Sequence, residues 1–234
     1  SNIDKTAPEK PIVTANTTEP TNKNVILSAI FAPDAIFNEY QIGGNGEWKE
    51  YTAAIEVSAN EEVFFRSRDA AGNYSGITMY QISNIDKTAP EKPLIFADKT
   101  EPTSQWVTIT VTFGSDAVIQ EYSFDGKTWF SHTAPLIITE NTTIYYRSHD
   151  AAGNISEIAE YTVSNIDRTA PEKPVASANI TTPTNKDVIV SANFSSDCAE
   201  KEYSIDKMSW EKYTTGIVMQ TNGTVYFRGK DAAG

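Results

Sequence analysis

Apolar and polar residues alternate along several stretches of the chain. In the clearest stretch Val107, Ile109, Val111 and Phe113 are separated by single threonines. A period of two, rich in β-branched residues, predicts a β-strand with one buried face. The same alternation occurs once earlier and once later in the chain, and it predicts these further buried positions: Val25, Leu27, Ala29, Phe31, Val188, Val190, Ala192 and Phe194.

A second alternating stretch places apolar residues on one face and an arginine on the other. In its first copy Val63 and Phe65 face one side and Arg66 faces the opposite side. The other copies follow the same order, with Ile144, Tyr146 and Arg147, and with Val225, Phe227 and Arg228. We expect the arginines to form ion pairs on the exposed sheet surface with glutamates of a neighbouring strand: Glu39, Glu121 and Glu202.

No stretch shows helical periodicity of useful length. Shorter extended runs surround Tyr40, follow Trp48 and cover residues 53–58, and further runs open and close each copy of the pattern. Seven short antiparallel strands per copy predict an all-β protein. The expected fold is a β-sandwich of the immunoglobulin (Ig) or fibronectin type III kind.

One long string of residues occurs three times. SNIDKTAPEKP at residues 1–11 returns at 83–93 and, with arginine in place of lysine, at 164–174. A fixed period of this length indicates tandem modules. We predict three domains: an Ig-like repeat at 1–82, a second at 83–163, and a third at 164–234 that stops before its last strand. Because the chain begins inside its repeat, we expect it to be an excerpt of a longer protein.

Composition excludes several classes of function. The formal charge of −12 opposes binding to nucleic acid or anionic lipid and favours cations. There is no signal peptide, and no apolar run approaches the length of a membrane span. Cys198 is the only cysteine, so no intrachain disulfide can form. No nucleophile–base pair, transition-metal cluster or phosphate loop recurs, and we do not expect an enzyme.

Three motifs follow one another in the second repeat, and variants of them stand in the same order in the other two: DKTAP near the start, Y-S-x-D-G-x-x-W in the middle, and Y-R-S-x-D-A-A-G-N near the end. At the middle turn the first repeat departs with Gly-Gly-Asn-Gly and the third with Asp206-Lys207-Met208, so we do not expect a shared site there. Together they resemble the tandem bacterial Ig-like repeats of large cell-surface proteins, including giant nonfimbrial adhesins. The resemblance covers the whole chain. It implies an extracellular location on a bacterial surface, a spacer role in an extended stalk, and neighbouring modules of the same chain as partners.

Repeated acidic residues are expected to meet at one end of each sandwich. The start of the first strand and the turns after the second and sixth strands share one pole of a seven-stranded sandwich. The candidate metal ligands there are Asp4, Asp34, Asp69 and Asn73 in the first repeat, Asp86, Asp116, Asp150 and Asn154 in the second, and Asp167, Asp197 and Asp231 in the third.

Calcium is the ion that such a pole would hold, because it accepts six to eight oxygen ligands in flexible geometry. The resemblance also implies calcium near module junctions, bound by Asp86 and Asp167 of the linkers together with Asp150 and Asp231. The alternative is that these residues only shape turns, since Asp and Asn cap their own backbone amides and DAAGN is a competent tight turn.

A second hypothesis concerns the tryptophans. Trp48, Trp129 and Trp210 share one phase and would serve either as sugar-stacking platforms or as covers for the end of each core. In the first case the chain would be a carbohydrate-binding accessory of a surface or secreted protein. Its partner beyond the neighbouring modules would then be host or environmental glycan, with a host or environmental protein as the alternative. Trp106 occupies a position that holds polar residues in the other repeats, so it is either a contact peculiar to the second repeat or an exposed aromatic without a role.

Overall fold

The computed structural model describes residues 3–234. Ser1 and Asn2, which open the first copy of the repeated string, lie outside the described residues. All regular secondary structure in residues 3–234 is β-strand. No helix in this part of the chain is long and apolar enough to cross a membrane. The predicted all-β fold class is confirmed.

Contacts divide the chain into two compact units. Among the described residues, one contains the chain up to Pro93 together with Phe113–Tyr122 and Tyr146–Ala159, and the other contains Leu94–Thr112, Ser123–Tyr145 and Glu160–Gly234. Neither predicted domain boundary, after residue 82 or after residue 163, coincides with this division. The three-domain organisation therefore stays a prediction, although the three sequence repeats carry the same order of strands.

The first repeat forms two antiparallel sheets. Its strands are β1 (Ile12–Ala15), β2 (Val25–Ile30), β3 (Phe37–Ile42), β4 (Lys49–Glu50), β5 (Ile55–Val57), β6 (Glu62–Arg68) and β7 (Thr78–Gln81). One sheet has the order β1-β2-β5 and the other β4-β3-β6-β7. In the register of the second sheet Glu39 lies opposite Arg66, and Val63 lies opposite Tyr80.

Apolar side chains from both sheets of the first repeat meet in one core. Val25 and Leu27 of β2 and Val63 and Phe65 of β6 have no exposed surface. Ile85 of the linker joins the same cluster of buried side chains. Two sheets that bury their inner faces against each other form a β-sandwich, as the alternating pattern predicted.

The second repeat has the same seven strands. They are β8 (Leu94–Ala97), β9 (Val107–Thr112), β10 (Ile119–Ser123), β11 (Phe130–Ser131), β12 (Leu136–Ile138), β13 (Thr142–His149) and β14 (Ala159–Val163). The sheet orders are β12-β9-β8 and β11-β10-β13-β14. Val107 and Ile109 of β9 are fully buried, as predicted, and so are Ile144 and Tyr146 of β13.

The third repeat has six strands within residues 3–234. They are β15 (Val175–Ala178), β16 (Val188–Asn193), β17 (Glu200–Ser204), β18 (Glu211–Lys212), β19 (Ile217–Met219) and β20 (Tyr226–Lys230). The orders are β15-β16-β19 and β18-β17-β20, so β20 is an edge strand where β6 has β7 beside it. Val188 and Val190 stay partly exposed, whereas the equivalent Val25 and Leu27 are buried.

Candidate functional site

The DAAGN motif forms a closed turn after β6. Asp69 is only 5% exposed, and its carboxylate accepts hydrogen bonds from the Asn73 backbone N–H and side-chain amide, both at 2.8 Å. Gly72 has a φ of 93°, in a region that favours glycine. Asp150 and Asn154 repeat these bonds after β13, at 2.8 and 2.7 Å.

These hydrogen bonds favour the charged form of both carboxyls. The Asn73 side chain is the main cause that lowers the pKa of Asp69 below its usual value, and burial opposes it. For Asp150 burial is the largest influence and raises the pKa, but the combined hydrogen bonds from Asn154 and the turn backbone leave it lowered. Both carboxylates are therefore stabilised as anions by their own turns.

The asparagine of the turn also holds the linker. Asn73 Nδ2 donates to the backbone carbonyl of Asp4 at 3.2 Å. In the second repeat Asn154 Nδ2 donates to the carbonyl of Asp86 at 2.9 Å. The linker and the DAAGN turn are thus joined by a hydrogen bond from the asparagine side chain to a linker backbone carbonyl, and the metal-ligand set stays a prediction.

The linker aspartates direct their carboxylates into local turns. Oδ1 of Asp4, of Asp86 and of Asp167 each accepts a hydrogen bond of 2.9 Å from the N–H two residues later. All three residues are exposed. This is the backbone-capping role that the turn interpretation assigns to aspartate.

The aspartates after the second strand of each sandwich lie in tight turns. Ala35 N–H donates to the carbonyl of Ala32, and the same bond closes the turns at Asp116 and Asp197. Asp34, Asp116 and Asp197 are all exposed. Asp231 accepts hydrogen bonds from the N–H groups of Ala233 and Gly234, both at 2.8 Å.

Residues 3–234 contain no group of three or more His, Cys, Asp or Glu side chains arranged to hold a metal ion. The three aspartates of each repeat share a pole by topology, but their carboxylates are not gathered there into such a group. The turn hydrogen bonds account for the linker and DAAGN aspartates without an ion. Calcium binding stays a prediction.

A set of contacts that the sequence analysis missed fixes the linker to the preceding repeat. Thr21 and Ile85 form a parallel β-bridge, in which Thr21 N–H donates to Asn84 and Asp86 N–H donates back to Thr21. The side chain of Asn60 bonds both backbone groups of Ile85: its Nδ2 donates to the Ile85 carbonyl at 2.8 Å, and its Oδ1 accepts from the Ile85 N–H at 2.9 Å. We call this arrangement the linker clamp.

The linker clamp recurs between the second and third repeats. Thr103 bridges Ile166, and Asn141 makes both bonds to the Ile166 backbone at 2.9 Å. The side chains of Asn84 and Asn165 add bonds of 2.8 Å to the carbonyls of Glu19 and Glu101. These threonines and asparagines recur at equivalent places in the repeats, and this recurrence was the feature of the sequence that pointed to them.

The predicted cross-strand ion pairs are confirmed. Nε of Arg66 donates to Glu39 at 2.8 Å, and the equivalent bonds of Arg147 and Arg228 measure 2.7 and 2.6 Å. In the second repeat His149 Nε2 also lies 3.1 Å from Glu121. These pairs lie on the outer faces of the sheets.

Trp48 and Trp210 lie on the same outer faces as the arginines and not over the ends of the cores. The guanidinium carbon of Arg66 is 4.0 Å from the centroid of the Trp48 ring, and Arg228 lies at the same distance from Trp210. An arginine thus occupies one face of each of these two rings. Trp129 is half-buried at the equivalent position, and Trp106 is 57% exposed.

A scan against protein-family models finds no match for this chain, and a search of the curated proteins finds none. Among solved structures, the fibronectin(III)-like modules of CbhA from Clostridium thermocellum are 15% identical. That alignment covers 64% of this chain and 92% of that chain, with a TM-score of 0.32. The FN1-FN3 domains of chicken CNTN1 are 12% identical, covering 96% and 89%, with a TM-score of 0.25.

Identities and TM-scores this low carry no argument about this chain. Its own sheets define the fold: residues 3–234 are all-β and consist of antiparallel sheets whose strand orders are those of β-sandwiches of the Ig or fibronectin type III kind.

Proposed function

We propose that the chain is a structural spacer in which the linker after the first repeat is fixed both to that repeat and to the DAAGN turn of the second. The observation that carries the proposal is the bonding of Asp86. Its N–H donates to Thr21 of the first repeat at 2.9 Å, and its carbonyl accepts from Asn154 of the second repeat at 2.9 Å. One linker residue is therefore bonded to the repeat on each side.

Further contacts support the same role. Asn22 N–H donates to the carbonyl of Ala152 at 3.1 Å, which joins a loop of the first repeat directly to the DAAGN turn of the second. Lys87 Nζ donates to Asn24 and to the Ser58 carbonyl, both at 2.8 Å. The two prolines after the clamp, in TAPEKP, restrict the backbone to extended conformations.

The setting of this spacer is a further part of the proposal. We infer from the sequence motifs that it belongs to a bacterial cell-surface protein of the adhesin type and lies outside the cell. The same motifs and the repeated aspartates are the support for calcium near the junctions. Unfolding curves in millimolar calcium and in excess chelator test that part: a higher melting temperature with calcium supports it. Equal melting temperatures in calcium and in chelator would reject the calcium site and would not affect the proposed spacer role.

Distance measurements between spin labels test this double attachment of the linker. In a Cys198→Ala background, labels replace exposed Glu47 of the first repeat and exposed Glu157, which follows the DAAGN turn of the second. A fixed junction predicts a narrow distribution of distances, and Asn60→Ala combined with Asn154→Ala should broaden it. A distribution that is already broad in the otherwise unchanged protein would reject the proposal.

A further inference from the structure

Two arginines and three aromatic rings alternate on the outer face of sheet β4-β3-β6-β7. The guanidinium carbon of Arg66 lies 4.0 Å from the ring centroid of Trp48 and 4.5 Å from that of Tyr74. The guanidinium carbon of Arg68 lies 4.5 Å from the centroid of Phe37 and 5.5 Å from that of Tyr74. We call these five side chains the aromatic–arginine row.

The two arginines differ in what their N–H groups do. Arg66 donates from Nε to Glu39. In contrast, the side chain of Arg68 makes no ion pair and no hydrogen bond within residues 3–234. Rings contact a guanidinium through its face, whereas its five N–H donors point outward in its plane. Arg68 therefore keeps its donors available beside two rings that position it.

The rings beside Arg68 are open to solvent. Phe37 is 50% exposed and Tyr74 is 47% exposed. The two positive charges of the row are offset near Arg66, which pairs with Glu39 while Glu50 lies opposite Glu39 in the register of β3 and β4. Arg68 has no such carboxylate bonded to it within residues 3–234, and its guanidinium beside exposed rings complements a ligand that has both an anionic group and an apolar face.

We propose that the aromatic–arginine row binds carboxylated polysaccharide, with a uronic acid as the recognised unit. The sugar carboxylate accepts hydrogen bonds from the N–H edge of Arg68, a geometry that suits bidentate pairing. The C–H face of the same sugar ring packs on Tyr74 or Phe37. A uronic acid presents both features on one rigid ring. The side chain of an acidic peptide carries its carboxylate on a flexible stem without such a face, so the row favours the sugar.

The second repeat supplies matched substitutions. It has Ile119, His149 and Ile155 where the first repeat has Phe37, Arg68 and Tyr74. The Arg68–Tyr74 bridge recurs as the bridge between His149 and Ile155, so these two pairs occupy the same sheet positions. Phe37 and Ile119 are equivalent as well, since the N–H of the residue before each donates to the carbonyl of Arg68 and of His149. Phe37→Ile, Arg68→His and Tyr74→Ile are thus tolerated by this fold.

The test is affinity electrophoresis of the whole 234-residue chain at pH 8, in gels that contain polygalacturonate, neutral dextran or polyglutamate. We expect polygalacturonate alone to retard the unchanged protein, and added salt to reduce the effect. Arg68→His should weaken the binding by about tenfold or more, because a charge-assisted pair is lost and the introduced imidazole is neutral at this pH. The triple variant should abolish it.

Lys23→Gln serves as the charge control, since it removes one exposed positive charge outside the row. It should bind like the unchanged protein. The proposal is overturned by any of four results: no retardation of the unchanged protein, an Arg68→His variant that binds equally well, an equal loss for Lys23→Gln, or equal retardation by polyglutamate. The last result would identify a site for acidic peptide.

Discussion

The sulfur of Cys198 occupies the space where a side chain at Gly229 would begin. A Cβ placed on Gly229 meets Cys198 Sγ first, and Cys198 Cβ at 3.4 Å. The other repeats carry alanine and serine at these two positions: Ala35 with Ser67, and Ala117 with Ser148. A larger side chain at one position is thus matched by loss of the side chain at the other.

This exchange predicts a strong coupling between the two positions. Gly229→Ser alone should destabilise the third repeat by about 1–3 kcal/mol, because the new side chain overlaps the Cys198 sulfur. Cys198→Ala combined with Gly229→Ser restores the pair found in the other repeats and should recover most of that loss. Hydrogen exchange of the β20 amides in the single and double variants measures the effect locally.

Ser148→Gly in the second repeat is the matched control. It should leave a small void beside Ala117 and lower stability, because no sulfur fills the space there. A double variant of the third repeat that is no more stable than Gly229→Ser would contradict the packing argument.

Asn154→Ala should loosen the junction between the first and second repeats. The substitution removes the amide that bonds both the Asp150 carboxylate and the Asp86 carbonyl. We expect a loss of about 1–3 kcal/mol, since one acceptor is charged, and faster hydrogen exchange at Asp86.

Asn73→Ala is the matched control. Asn73 makes the same bond to the aspartate of its own turn, Asp69, but its second bond goes to Asp4 and not to the linker between the first and second repeats. It should destabilise its own turn and leave exchange at Asp86 unchanged. If Asn73→Ala accelerated exchange at Asp86 as much as Asn154→Ala does, the effect would be a general loss of stability.

Acid should weaken the DAAGN turns. Hydrogen bonds from Asn73 lower the pKa of Asp69, and the bonds of Asp150 outweigh the burial that raises its pKa. Because the folded pKa lies below that of an unfolded aspartate, about 3.9, the stabilisation is complete above that pH and is lost as the pH falls through the lower, folded value.

The Asp150→Asn variant isolates this contribution. At neutral pH it should melt below the unchanged protein, since the amide cannot replace the carboxylate as a double acceptor. The difference in melting temperature should shrink as the pH is lowered from 7 to 2. A difference that stays constant over this range would show that the Asp150 charge contributes nothing to stability.

The strands were predictable because their signal is local. Val25 and Leu27 are buried as alternation indicated, and the pairing of Glu39 with Arg66 followed from two neighbouring strands. The recurrence of Asn60 as Asn141 marked a repeated loop residue, but its partner was not predictable, because the bond of Asn60 to Ile85 depends on how distant segments meet. Topology brought the aspartates to one pole, but local hydrogen bonds decide where each carboxylate points.

The turn after β17 stores backbone strain that a single substitution should reveal. Lys207 has a φ of 65°, and Gly126 has 69° at the equivalent position after β10. The two turns share their hydrogen bonds, with Asp206 and Asp125 each accepting from two following N–H groups at 2.7–2.8 Å. A non-glycine residue in this conformation costs about 1–2 kcal/mol.

The side chain of Lys207 partly offsets this strain, since its Nζ lies 4.4 Å from the centroid of the Tyr226 ring. Lys207→Ala should lose this contact and keep the strain. Lys207→Gly loses the same contact but relieves the strain, so it should be more stable than Lys207→Ala by about 1 kcal/mol. Urea unfolding of the two variants measures the difference directly. Equal stabilities would mean that the positive φ carries no cost here, and that the hydrogen bonds of Asp206 alone determine the turn.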